Sequence, residues 1–108
     1  MTFSSWPAID GVLVALSDPT RRAIFEAIAA QPGITTSQLT ARAGTVTRWA
    51  VMKHLTVLRN AGLIQTMASG RLRRHYAEKA TLGSLGDWIS QFSYAQWLDG
   101  EFSLERFD

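Results

Sequence analysis

Apolar residues recur along this chain at helical spacing in several segments and alternate with polar ones in one. Residues 9–17, IDGVLVALS, carry Ile9, Val12, Leu13 and Leu16 at helical spacing and predict a short first helix. Asp18 and Pro19 follow, suited to an N-cap and to the first helical position. A second helix should start there and run through Ile24, Phe25, Ala27 and Ile28, until Gln31-Pro32-Gly33 stops it. Thr35, with Gln38 three residues later, matches a capping box and opens a short third helix that ends at Gly44. Thr47 caps a fourth helix, about 47–60, which Ala61-Gly62-Leu63-Ile64 closes. LIQTMASGRLRRHYA then reads as two short strands around a Ser69-Gly70 turn, within about 63–77. In the second strand Leu72, Arg74 and Tyr76 point one way, and Arg71, Arg73 and His75 the other, with Tyr76 in the core. Leu85, Trp88, Ile89 and Phe92 share one face of a last helix, predicted over about 80–107, where Trp97, Leu98, Phe102, Leu104 and Phe107 follow. The predicted order is α-α-α-α-β-β-α, mainly α with a small β-hairpin, in a single domain spanning 1–108 with no repeat or linker.

The fourth helix has two unlike faces. At about 100° per residue, Ala50, Val51, Leu55, Val57 and Leu58 form a core stripe. Arg48, Trp49, Met52, Lys53, Thr56, Arg59 and Asn60 occupy the other half, with no acid among them. Net charge is only +2, but it is unevenly spread. Arg42 to Lys79 holds eight basic residues and one acid, Glu78, while the rest of the chain holds three arginines and eight acids. A basic block of this kind is the electrostatic footprint of a polyanion binder. A short helix, a tight connection and a second amphipathic helix make a helix-turn-helix, and a basic hairpin directly after it makes a wing. The polar face of the 47–60 helix is thereby predicted to enter a DNA major groove, which is wide enough to admit one helix.

Composition narrows the alternatives. With 108 residues, 46% apolar and 19% charged, the chain can bury a core. A domain this small is often only marginally stable alone, which leaves room for a dimer that shares core. There is no cysteine, so disulfides and thiolate metal sites are excluded. The two histidines, His54 and His75, sit at no metal-chelating spacing with acids, and no metal or other cofactor is expected. No nucleophile–base pair, paired carboxylates or glycine-rich phosphate loop suggests an enzyme. No apolar run of about 18 residues is present, and no basic-then-apolar leader opens the sequence, so a cytoplasmic protein with no membrane partner is expected.

ALSDPTRRAIFEAI, TRWAVMKHLTVLRNAGLI and SGRLRRHY, in that order and spacing, resemble the ArsR-type family of winged helix-turn-helix transcriptional repressors. The match covers roughly residues 9–78, and the tail DWISQF resembles a branch of the family that lacks metal ligands. The resemblance implies a homodimer formed through the first and last helices, recognition helices in successive major grooves, and repression of the protein's own operon. Positions 49 and 52, often small in the wider family, are Trp49 and Met52 here, so the preferred base sequence should differ.

The candidate DNA contacts are Thr47, Arg48, Trp49, Met52, Lys53, Thr56, Arg71 and Arg73. Arg48 and Lys53 could each bond guanine O6 and N7 or hold a phosphate. Thr47 caps its helix and could also meet a phosphate; for Thr56 a backbone or thymine-methyl contact stands beside plain exposure. Trp49 either lies on sugars or a thymine methyl, or folds back over the preceding helix. Met52 either touches a thymine methyl or only packs. His54 falls on the core side of the wheel and reads as a packed, hydrogen-bonded residue, with a phosphate contact as the alternative. Arg71 and Arg73 suit the backbone or minor groove, where negative potential favours arginine. Arg74 could instead pair across the wing base, and Arg21 and Arg22 could flank the duplex or stay in solvent. Leu13, Trp88, Phe92, Trp97 and Phe102 are the candidate dimer interface, since aromatics are enriched at interface centres. The same aromatics could hold a small-molecule effector or a partner, giving a ligand-responsive sensor. A winged helix serving only protein–protein interaction is the further alternative.

Overall fold

The computed structural model describes residues 9–92. Five helices and three strands follow in the order α1 (Ile9–Ser17), α2 (Pro19–Ala30), β1 (Ile34–Thr35), α3 (Thr36–Ala43), α4 (Arg48–Asn60), β2 (Ile64–Ser69), β3 (Leu72–Ala77) and α5 (Lys79–Ser90).

The predicted caps are in place. The Asp18 side chain accepts from Arg21 N–H at the start of α2, with Pro19 in the first turn. That bond holds the Asp18 carboxyl below its ordinary range. Thr35 and Gln38 form the reciprocal capping box of α3. Thr47 Oγ1 accepts from Ala50 N–H at the start of α4. At the other end of α4, Gly62 adopts φ +76°, its N–H reaches Arg59 O, and Leu63 N–H reaches Leu58 O. This is a Schellman ending, and its usual apolar contact joins Leu58 to Leu63, both fully buried.

The core lies where α1, α2, α3 and α4 meet the base of the hairpin. Ile28, Ile34, Val51, Leu58 and Leu63 are among its most buried members. Three details differ from the sequence reading. The hairpin gains a third strand: β1 pairs antiparallel with β3, giving the order β1-β3-β2. Ser69 pairs with Leu72, so the two-residue turn is Gly70-Arg71, not Ser69-Gly70. Gly70 has φ +63° and, among the described residues, no non-glycine residue has positive φ, as a hairpin turn with glycine at its first central position requires. Val57 of the supposed core stripe is exposed, and the α4 core face narrows to Val51, Leu55 and Leu58.

The sides of β3 are also reassigned. Alternation holds, but the core side is that of His75, which is 1% exposed. Tyr76 is only half-buried, its ring packed against Gly33, and Leu72 is exposed. α5 buries none of its residues, although Leu82 and Leu85 rest against the core. The predicted continuation of this helix towards residue 107, with Trp97 and Phe102, lies outside the described residues.

Candidate nucleic-acid interface

α3 and α4 form the helix-turn-helix, with Gly44 and Thr47 bracketing its turn. Leu55 and Leu58 anchor α4 in the core and thereby fix which face looks outward. On that outward face Arg48, Trp49, Met52, Lys53 and Thr56 are all exposed. Trp49 is 68% exposed, so its ring does not fold back over α3. Lys53 Nζ stands 4.5 Å from the Trp49 ring centroid, a cation–π pair one helical turn apart. Arg48 Nη1 donates to Ser37 Oγ on α3 at 3.2 Å.

The wing closes on the same face. Arg48 and Met52 from α4, Ser37 from α3, and Arg71 and Arg73 from the wing line one recess of about 130 Å³. A second recess of about 260 Å³ lies between Met52, Thr56 and Arg59 on one wall and Arg73 and His75 on the other. The fold thus gathers five of the eight candidate contacts around two openings. Thr47, Trp49 and Lys53 line neither. Thr47 is engaged as the α4 cap, and the Trp49–Lys53 pair stands outward. The Thr56 hydroxyl donates back to Met52 O at 3.1 Å.

Hydrogen bonding sorts the cations. Arg21 Nε donates to Ala15 O at 2.6 Å and Nη2 to Val14 O at 3.3 Å, while Arg22 Nη1 donates to Leu16 O at 2.7 Å. Both arginines therefore cap the end of α1, where unpaired carbonyls gather. Arg21 Nη1 also lies 3.4 Å from His54 Nδ1, which gives His54 the packed, hydrogen-bonded role. Arg59 donates to Thr66 Oγ1, Arg74 to Gly33 O, and Arg42 to Gln31 Oε1. Among the described residues, Arg71 and Arg73 have neither a hydrogen-bond nor an ion-pair partner, and the one ion pair is Arg21–Asp18 at 4.0 Å.

Two features lie elsewhere. Leu13 and Phe92 are 43% and 60% exposed, beside exposed Val14 and Ile89, and Trp88 meets Phe92 edge-on with centroids 5.3 Å apart. An open apolar cleft of about 390 Å³ lies between α2 and α3, lined by Ala23, Ile24, Leu39, Ala43 and Val46 with Arg42 at its edge. Among the described residues no three His, Asp or Glu side chains form a metal-binding group, and no helix is long and apolar enough to cross a membrane.

The residue that sequence reasoning missed is His75. Its Nε2 lies 2.8 Å from Thr36 Oγ1 and its Nδ1 2.9 Å from Thr66 Oγ1. Burial, then the nearby Arg59 and Arg73 guanidiniums, push its pKa down from 6.5 and keep the ring neutral. Only its place opposite Thr66 in the register signals this, and that was not readable without the fold.

A helix-turn-helix whose second helix and wing share one cationic face is a winged-helix DNA-binding unit. A family model described as a helix-turn-helix domain matches residues 16–66. The HTH-type transcriptional regulator Rv2034 of Mycobacterium tuberculosis is 35% identical over 104 residues, covering 91% of this chain and 95% of that protein. The HTH-type regulator YuzN of Bacillus subtilis is 38% identical over 69 residues, 59% of this chain and 75% of that one. In structure, an ArsR-like transcriptional regulator from Rhodococcus sp. RHA1 superposes with a TM-score of 0.73 at 27% identity, covering 95% of this chain and 94% of the other. The chain belongs to the ArsR family of winged helix-turn-helix transcriptional regulators, DNA-binding proteins that control transcription.

Proposed function

We propose that this protein is a homodimeric repressor of its own operon that acts in the cytoplasm and binds an inverted-repeat operator through the major groove. The observation that carries this reading is the acid-free face on which Arg48 and Met52 of α4 share one recess with Arg71 and Arg73 of the wing. Arg48, Lys53, Trp49 and Met52 read bases or thymine methyls. Thr47, Thr56, Arg71 and Arg73 meet the sugar–phosphate backbone. Residues 1–108 act as one domain.

Dimerisation is supported by α5, a twelve-residue helix that buries no residue in the single chain. A short helix gains most of its stability from packing an apolar face, so α5 calls for a second surface. Leu13 with exposed Val14 on α1, and Trp88, Ile89 and Phe92 towards the chain's end, supply it in the dimer. Trp97 and Phe102, outside the described residues, are assigned to this interface from the aromatic content of the sequence alone.

Footprinting on the DNA upstream of the protein's own gene tests the reading. Two protected patches about one helical turn, roughly 10 bp, apart are expected. A single patch would contradict the dimer on an inverted repeat, and uniform protection would contradict sequence reading. A second reading, a sensor released from DNA by a small apolar effector, is favoured by the cleft between α2 and α3. A compound that fills it should shift Ala23 and Ala43 resonances and weaken operator binding together.

A further inference from the structure

We propose that His75 is the joint that holds the wing in register against the recognition helix, and so a positioning residue for DNA binding; the proposal rests on the DNA-binding reading above. Among the described residues the buried polar side chains are Thr35, Thr36 and His75, and His75 is 1% exposed. A strand position facing the core is ordinarily apolar, because a buried polar group is costly unless hydrogen-bonded. Here both ring nitrogens have partners, and no buried side-chain polar atom among the described residues lacks one.

Those partners belong to different elements. Nε2 meets Thr36, the first residue of α3, at 2.8 Å. Nδ1 meets Thr66 on β2 at 2.9 Å. Arg59, in the last turn of α4, donates through Nη1 to the same Thr66 oxygen at 3.1 Å. Arg59 can only donate, so Thr66 Oγ1 accepts from it, and each ring nitrogen of His75 bonds one threonine hydroxyl, Nδ1 that of Thr66 and Nε2 that of Thr36. The chain Arg59–Thr66–His75–Thr36 thus ties both strands of the wing to both helices of the helix-turn-helix.

The consequence for binding is geometric. Arg73 lies two residues before His75 on the same side of β3, and both line the recess shared with Met52 and Thr56. Apolar packing would tolerate small slides of the hairpin over α4. A directional hydrogen-bond chain does not, because a polar network specifies one arrangement. Arg71 and Arg73 are therefore held at a fixed offset from the reading face of α4.

The test is a double-mutant cycle on the full chain with a duplex from the protein's own upstream region. Thr66→Val keeps the side-chain shape and removes the hydroxyl, Thr66→Ser keeps the hydroxyl, and His75→Phe removes both ring bonds. In the wild type and in Thr66→Ser, Arg71→Ala should lower affinity by the same factor. In Thr66→Val and His75→Phe that factor should shrink to less than half, because a displaced wing has already lost the contact. A residue that served only stability would lower the folded fraction and leave the Arg71→Ala factor unchanged, which would overturn the proposal. Hydrogen exchange gives a readout without DNA. Amides of β2 and β3 should exchange faster in Thr66→Val while those of Ile24 to Ile28 hold. Unchanged wing protection would overturn the joint. Failure of the wild type to bind any duplex would overturn the DNA-binding reading and the recognition role with it, while the exchange result would still decide whether His75 holds the wing.

Discussion

Arg71→Ala and Arg21→Ala remove the same charge and should damage different things. Arg71 sits in the wing turn with no partner among the described residues, so its charge is available to a phosphate. Each phosphate contact contributes about −0.9 to the slope of log affinity against log salt. Losing one contact flattens the slope by about 0.9, and the proposed dimer loses two, or about 1.8. Across a fourfold rise in salt, the wild type should then lose about 12-fold more affinity than Arg71→Ala, or about 3.5-fold more if one copy binds. Thermal stability should hardly change.

Arg21 is the opposite case. Its side chain is 13% exposed, and it donates to Ala15 O at 2.6 Å and Val14 O at 3.3 Å. A hydrogen bond from a charged group contributes about 1.5–3 kcal/mol. The Val14 bond is long and exposed, so the pair should be worth about 2 kcal/mol, while the ion pair to Asp18, at 4.0 Å, adds little. For a chain of this size that is a fall in Tm of about 8–12 °C. The salt slope should stay at the wild-type value. Calorimetry and salt-dependent anisotropy on the two variants decide the matter. A slope lost in Arg21→Ala, or kept in Arg71→Ala, would refute the division of the cations by their hydrogen bonds.

Other perturbations have definite expectations. Trp49→Ala should weaken binding and also shrink the effect of a subsequent Lys53→Ala, because the ring holds the ammonium 4.5 Å from its centre; additive effects in the cycle would contradict a coupled pair. Gly33→Ala should destabilise by about 1–3 kcal/mol, since Gly33 has φ +86° and a β-carbon would stand 3.3 Å from the Tyr76 hydroxyl; an unchanged denaturation midpoint would contradict this. His75, with its folded pKa below 6.5, binds fewer protons folded than unfolded. Its contribution to stability is therefore complete above about 6.5 and lost as pH falls from there towards the lowered folded value. Denaturation followed from pH 7 to 5 should show this loss, and His75→Gln should remove that part of it.

What the sequence disclosed was what local chemistry encodes. Asp18-Pro19, Thr35 with Gln38, and Thr47 each satisfy N–H groups within three residues, so the helix starts could be read directly. Gly62 closes α4 by bonds spanning a few residues. The features that were missed depend on distant partners. β1 is two residues long, and its partner β3 lies some forty residues on. His75 looked like a solvent-side residue until β3 was seated on Thr36 and Thr66. Gly70 could take either place in the turn, and only the pairing of Ser69 with Leu72 fixed the register. Arg21 and Arg22 were ambiguous because nothing in their own helix shows that the α1 carbonyls lie within reach. The candidate DNA face was legible because helical periodicity alone separates Arg48, Met52 and Lys53 from Val51, Leu55 and Leu58.

The most direct test of the central claim is fluorescence anisotropy of the purified protein on the duplex upstream of its own gene. A scrambled duplex of equal length serves as control, and both are titrated at about 50 and 200 mM salt. The account predicts that affinity falls with salt on both duplexes while a clear preference for the native sequence survives at the higher concentration. Equal binding to both, erased by salt, would mean that the cations of α4 and the wing meet phosphates alone there, and would contradict operator recognition by this face.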